Sequence, residues 1–119
     1  MPRILVVDDE QLIAAMVRDW LNELGCEVAG PAYCVREALD LIASVTVDGA
    51  ILDVSLGGED CYPVADALCG AGIPVAFATG YGVSALPPRF KGMPVLSKPF
   101  CFESVKSVIA TIAGSHVRL

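Results

Sequence analysis

The chain has 119 residues, 55% of them hydrophobic, and a net charge of −6. That length suits one domain with a real core and is too short for two, so a single domain over 1–119 with no separate output domain is expected. The hydrophobic content excludes a disordered chain and the acidity disfavours nucleic acid as a direct partner, which leaves protein and metal as the expected ligands.

Apolar runs are only a few residues long, and Met1-Pro2-Arg3-Ile4 passes at once into a strand pattern. Neither a membrane span nor a signal peptide is expected, and the reading is a cytoplasmic protein with no membrane partner. The five cysteines are odd in number and form no Cys-x-x-Cys pair, so reduced thiols packed as small hydrophobes are expected.

In chain order, residues 4–7 form a short apolar run ending in Asp8 and Asp9, which suits a strand buried on both faces. Ile13, Met16, Val17, Trp20, Leu21 and Leu24 then fall at helical spacing, with Arg18, Asp19, Asn22 and Glu23 opposite and Gly25 as the stop. A brief edge strand over 26–29 and an amphipathic helix through Val35, Ala38, Leu39 and Ile42 follow. Residues 50–53 give a third strand, ending in Asp53. Asp60 is placed to cap a third helix with Pro63 in its first turn and Gly70 and Gly72 at its close.

Residues 73–79 read as a fourth strand ending in Thr79. Between 80 and 92 the next helix is poorly supported, because Gly82, Pro87 and Pro88 interrupt it, and a short or mobile element is expected. A fifth strand over 93–97 delivers Lys98 and Pro99, and Phe102, Val105, Val108, Ile109 and Ile112 mark the last helix. Trp20 and Cys101 read as core packing and His116 as solvated tail.

Strands alternating with about five helices imply an α/β, flavodoxin-like doubly wound parallel sheet of five strands in order 2-1-3-4-5, with helices on both faces. The carboxyl ends of the strands then share one rim, with the switch point between strands one and three. Asp8, Asp9 and Asp53 meet there, an oxygen-rich site for Mg2+ or Mn2+, with Asp9 and Asp53 as direct ligands. Singly, the acids could cap a helix, Thr79 could satisfy a turn and Lys98 could be a solvated charge. Together those readings require coincidence on four strand ends.

In this order and spacing, Asp8-Asp9, Asp53, Thr79 and Lys98-Pro99 resemble the receiver domain of two-component response regulators, across essentially the whole chain. The resemblance implies Asp53 as phosphoacceptor from phosphohistidine, Asp8 acting through a metal-bound water, and the Ser55 backbone carbonyl as a further metal ligand. It implies that Thr79 and Lys98 contact the phosphoryl group, that Gly80 leaves the acceptor accessible, and that Lys98-Pro99 is a candidate cis peptide. Two new charge-assisted hydrogen bonds, each worth roughly 1.5–3 kcal/mol, are barely enough to invert a two-state equilibrium, which takes about 5.5 kcal/mol. The responding segment after strand four therefore has to be nearly balanced beforehand.

Many receivers carry Tyr or Phe three residues before the strand-five lysine; Val95 stands there instead. The segment Phe77-Ala78-Thr79-Gly80-Tyr81-Gly82 resembles the FAT GUY subclass of stand-alone receivers, which nominates Tyr81 as the replacement ring. That likeness implies a sensor histidine kinase, including the HWE type, or a histidine phosphotransferase as partner. The result is a relay protein or a phosphate sink that catalyses only its own phosphorylation and dephosphorylation. Two alternatives are a docking module that is never phosphorylated and an aspartyl-phosphate phosphatase. Ser55 stands where the dehalogenase-type phosphatases have their second aspartate. No Gly-x-Gly-x-x-Gly or Gly-x-x-x-x-Gly-Lys loop supports a nucleotide binder.

Overall fold

Alternation along three apolar runs explains the sheet. In β1 (Arg3–Val7), Ile4 and Val6 point to one face and Leu5 and Val7 to the other. The same division holds for Ile51 against Ala50 and Leu52 in β3 (Gly49–Asp53), and for Ala76 and Ala78 against Val75 and Phe77 in β6 (Val75–Thr79). Such strands are buried on both sides, and helices have to cover both faces. The computed structural model describes residues 1–80 and 86–113.

The remaining sheet strands are β2 (Glu27–Ala32) and β7 (Val95–Ser97), and the order is β2-β1-β3-β6-β7, all parallel. A small antiparallel pair, β4 (Ser55–Leu56) with β5 (Glu59–Asp60), follows β3. With that pair set aside, the order is the expected 2-1-3-4-5. Helices α1 (Gln11–Glu23) and α4 (Phe102–Ala113) cover one face through Val17, Leu21, Val105 and Ile109. Helices α2 (Val35–Ser44) and α3 (Tyr62–Gly70) cover the other through Ala38, Val64, Ala65 and Leu68. Gly25, at φ 82, ends α1 as its position suggests.

Three expectations are corrected. The edge strand runs past Ala29 to Ala32, because Gly30 (φ +94) and the cis Gly30-Pro31 bond form a register shift against β1 that an edge strand tolerates. A Cβ on Gly30 would lie 2.6 Å from Ala32 N and 3.2 Å from Val6 O, so no other residue fits there. Asp60 does not cap α3: its backbone pairs with Ser55, the N-cap is Cys61, and the Cys61 amide donates to Val54 O at 3.0 Å. Glycines 57 and 58, both at positive φ, make the tight return that draws Asp60 into the pair.

Third, Cys101 is exposed, with its Sγ 3.2 Å from Ser104 Oγ at the start of α4. Trp20 does pack, edge to face, on Phe102. The described residues hold four α-helices, and the short element expected between 80 and 92 is, among them, the 3-10 turn Pro88–Phe90. Leu86 and Phe90 of that stretch are buried in the α2–α3 face. No described helix is long and apolar enough to cross a membrane.

Candidate functional site

Strand register brings the predicted residues together. Val7 lies abreast of Leu52, so the next residues, Asp8 and Asp53, leave their strands side by side. Asp53 is level with Ala78 and Thr79 with Ser97, which sets Thr79 and Lys98 one step further along the same rim. The Lys98 amide donates to Thr79 O at 2.9 Å, and the Lys98-Pro99 bond is cis. This rim lies at the switch between β1 and β3, where open α/β sheets hold their ligands.

Asp8, Asp53 and Thr79 are 4%, 5% and 3% exposed, the only buried polar or charged residues among those described. Asp53 is held on both oxygens: Oδ2 accepts from Lys98 Nζ at 2.9 Å and Oδ1 from the Ser55 amide at 3.3 Å. Asp8 Oδ1 accepts from the Glu10 amide at 2.9 Å. Lys98 Nζ also lies 3.7 Å from Glu10 Oε1.

An open cavity of about 650 Å³ covers the rim, bordered by Asp9, Ser55, Thr79, Gly80 and Lys98 around Asp53. Tyr81 lies outside the described residues, as does His116. Ligand atoms of Asp8, Glu10 and Asp53 lie within 4.8 Å of one another; Asp9 is exposed and borders the cavity outside that group. Glu10 was not singled out in the sequence, although it continues the acid run and stands at the N-cap of α1. Tyr62 and Asp60 also border the cavity and were likewise not anticipated there.

Crowding has a measurable electrostatic consequence. Burial, together with the charge and hydrogen bond of Asp53, pushes the Asp8 carboxyl up to about 6, against the opposing pull of the Glu10 amide and Lys98. Burial works against the Lys98 ammonium, but the Asp53 hydrogen bond and the charges of Asp53, Asp8 and Glu10 outweigh it and raise its pKa. The adjacent Cys61 thiol is pushed up to about 12, first by burial and then by Asp53, so it stays protonated and inert. The donor set is entirely hard carboxylate oxygen with excess negative charge, which fits a divalent cation such as Mg2+ and gives a soft metal no ligand.

Comparison with known proteins agrees with this fold. The model of the response regulator receiver domain matches residues 4–110. The structure is similar to the solution structure of SdrG from Sphingomonas melonis Fr1, at 41% identity and TM-score 0.83 over 95% of this chain and 97% of that one. It is also similar to the crystal structure of TrrA from Thermotoga maritima in complex with Mg(2+)-BeF, at 28% identity and TM-score 0.82, covering 94% and 99% of the two chains. Sensory transduction protein LytT of Bacillus cereus is 30% identical over 109 residues, which are 88% of this chain and 44% of that protein. The chain spans less than half the length of the curated relatives it matches. With its parallel sheet, its acidic rim and a match from residue 4 to residue 110, the chain belongs to the response regulator receiver domain family.

Proposed function

We propose that this chain is a stand-alone receiver that accepts one phosphoryl group from a phosphohistidine onto Asp53 and signals by protein contact. The observation that carries the reading is the Asp53 carboxylate itself: buried, next to a second buried acid, and clamped by Lys98 at 2.9 Å. An Asp53 oxygen attacks phosphorus, the P–N bond breaks, and its electron pair returns to the imidazole, which takes up a proton. Lys98 neutralises charge on the equatorial oxygens, and the buried Thr79 hydroxyl lies on the same rim to receive the transferred group.

Asp8, Asp9, Asp53 and Glu10 are the residues that would hold Mg2+ or Mn2+, with the Ser55 carbonyl as the remaining protein ligand. When bound, that ion cancels carboxylate repulsion and screens the incoming phosphate. Gly80 borders the cavity where a donor side chain or water has to enter. Tyr81 is assigned the part of the missing strand-five aromatic, since Val95 pairs with Phe77 and carries no ring.

The match across 97% of the SdrG chain supports a receiver acting alone. The reading places it in the cytoplasm and takes a sensor histidine kinase, the HWE type included, or a histidine phosphotransferase as donor. Its only catalysis is then its own phosphorylation and dephosphorylation. Wild type and Asp53→Asn are incubated with magnesium and acetyl phosphate and weighed intact. Wild type gains one phosphoryl mass and Asp53→Asn gains none; equal labelling of the two removes Asp53 as acceptor.

A further inference from the structure

The charged residues that border the acceptor cavity are Asp9, Glu10, Asp53, Asp60 and Lys98. Residues 81–85 carry no charged side chain and add nothing to that set. Asp53 is read above as the acceptor, Asp9 and Glu10 stand with the metal, and Lys98 clamps Asp53 at 2.9 Å. Asp60 has no part yet. Its backbone pairs with Ser55 across the β4–β5 turn, which fixes its place on the border. Among the described residues its carboxylate meets no hydrogen-bond donor and no cation.

The cavity has a floor and a mouth. Asp53 and Thr79 are buried at the floor, whereas Asp60 and Gly80 are exposed at the mouth. Displacement at phosphorus keeps the attacking and leaving atoms roughly in line, so with Asp53 attacking from the floor the leaving group faces the mouth. A cavity of about 650 Å³ is on the order of 10 Å across, comparable with the Debye length at 0.1 M salt. The charge of Asp60 therefore acts on whatever group departs.

We propose that Asp60 is a specificity-determining residue that selects phosphoryl donors by the charge of their leaving group, favouring a cationic one over an anionic one. This rests on the reading of Asp53 as phosphoacceptor. With a phosphohistidine protonated on its free ring nitrogen, an Asp53 oxygen bonds to phosphorus and the P–N bond breaks. The electron pair returns to nitrogen and neutral imidazole departs; Asp60 attracts this donor's positive charge as it enters. With an acyl phosphate the P–O bond breaks instead, and the pair leaves on a carboxylate whose growing negative charge Asp60 repels. One unit charge at this range is worth a few-fold to about ten-fold in rate.

The experiment compares acetyl phosphate, which releases acetate, with phosphoramidate, which is protonated on nitrogen near neutral pH and releases ammonia. Second-order rate constants of labelling are measured by intact mass, with magnesium at fixed low ionic strength. The proteins are wild type, Asp60→Asn, Asp60→Ser, Asp60→Glu and Glu59→Gln. Glu59 is the neighbouring acid of β5, exposed and outside the cavity border. Asp60→Asn raises the acetyl phosphate constant roughly five-fold and does not raise the phosphoramidate constant. Asp60→Ser does the same and serves should Asp60→Asn not fold. Asp60→Glu and Glu59→Gln keep the wild-type ratio of the two constants.

An unchanged ratio in the neutral variants, or an equal shift in Glu59→Gln or Asp60→Glu, overturns the selection by Asp60 while leaving Asp53 as acceptor. Failure of wild type to label with either donor, or equal labelling of Asp53→Asn, overturns the phosphoacceptor reading and the selection with it.

Discussion

Replacing Asp8 by Asn removes one charge from the rim without changing the shape of the side chain, and it should stabilise the metal-free protein. The Asp8 carboxyl rises from the usual 3.8 to about 6 on folding, chiefly because burial strips it of water. At about 1.4 kcal/mol per tenfold, that displacement amounts to about 3 kcal/mol of destabilisation when the group is ionised. The sign follows from linkage: the folded state binds this proton more tightly than the unfolded chain. The penalty is therefore full above pH 6 and is relieved as pH falls toward 4. Asn keeps an oxygen for the Glu10 amide and offers Asp53 a donor, so little is lost in exchange. Urea unfolding in EDTA at about pH 7.5 should show Asp8→Asn more stable by up to about 3 kcal/mol with an unchanged slope, the gap closing at about pH 4. Added Mg2+ should raise the wild-type midpoint and move the variant less. A variant that is no more stable than wild type at neutral pH, or a gap independent of pH, would refute the electrostatic reasoning.

Lys98→Met deletes the ammonium that clamps Asp53 and should slow labelling by acetyl phosphate roughly ten- to hundred-fold, as expected for one charge-assisted hydrogen bond of about 1.5–3 kcal/mol; intact-mass time courses measure it. Phe90→Ala empties a buried ring site between Tyr62 and Phe77 and should cost about 3–5 kcal/mol in urea unfolding. Arg89→Ala, which removes an ion pair whose side chains are 55% and 52% exposed, should leave the midpoint of the same assay nearly unchanged. Gly30→Ala forces a Cβ against Ala32 N at positive φ and should destabilise by more than about 1 kcal/mol, with its largest amide shifts on the β1 and β2 residues around the register shift.

The sheet order and its rim were legible because β1, β3 and β6 are buried on both faces and so appear as unbroken apolar runs, each ending in a polar residue that emerges at the same edge. The extension of β2 was not, since Gly30-Pro31 reads as a break and only its edge location makes a bulge there tolerable. Asp60 was misplaced for a related reason: the β4–β5 pair depends on two glycine conformations, which leave no periodic signal. In the site, Asp8, Asp53, Thr79 and Lys98 stand next to strand ends, so their meeting follows from topology alone. Tyr62 and Glu10 begin helices, and whether a helix start leans over a cavity depends on tertiary packing that spacing does not encode. The Tyr62–Phe90 stack joins the start of α3 to the 3-10 turn, 28 positions apart in sequence, beyond the reach of any local pattern.

The central claim is that Asp53, and no other carboxylate of this acidic rim, carries the phosphoryl group. Phosphorylating the protein with acetyl phosphate and magnesium, reducing the acyl phosphate with borohydride and sequencing the peptide from β3 tests it most directly. The account predicts homoserine at position 53 and intact aspartate at positions 8 and 9. Unmodified aspartate at position 53, with homoserine at position 8, 9 or 60, would contradict it.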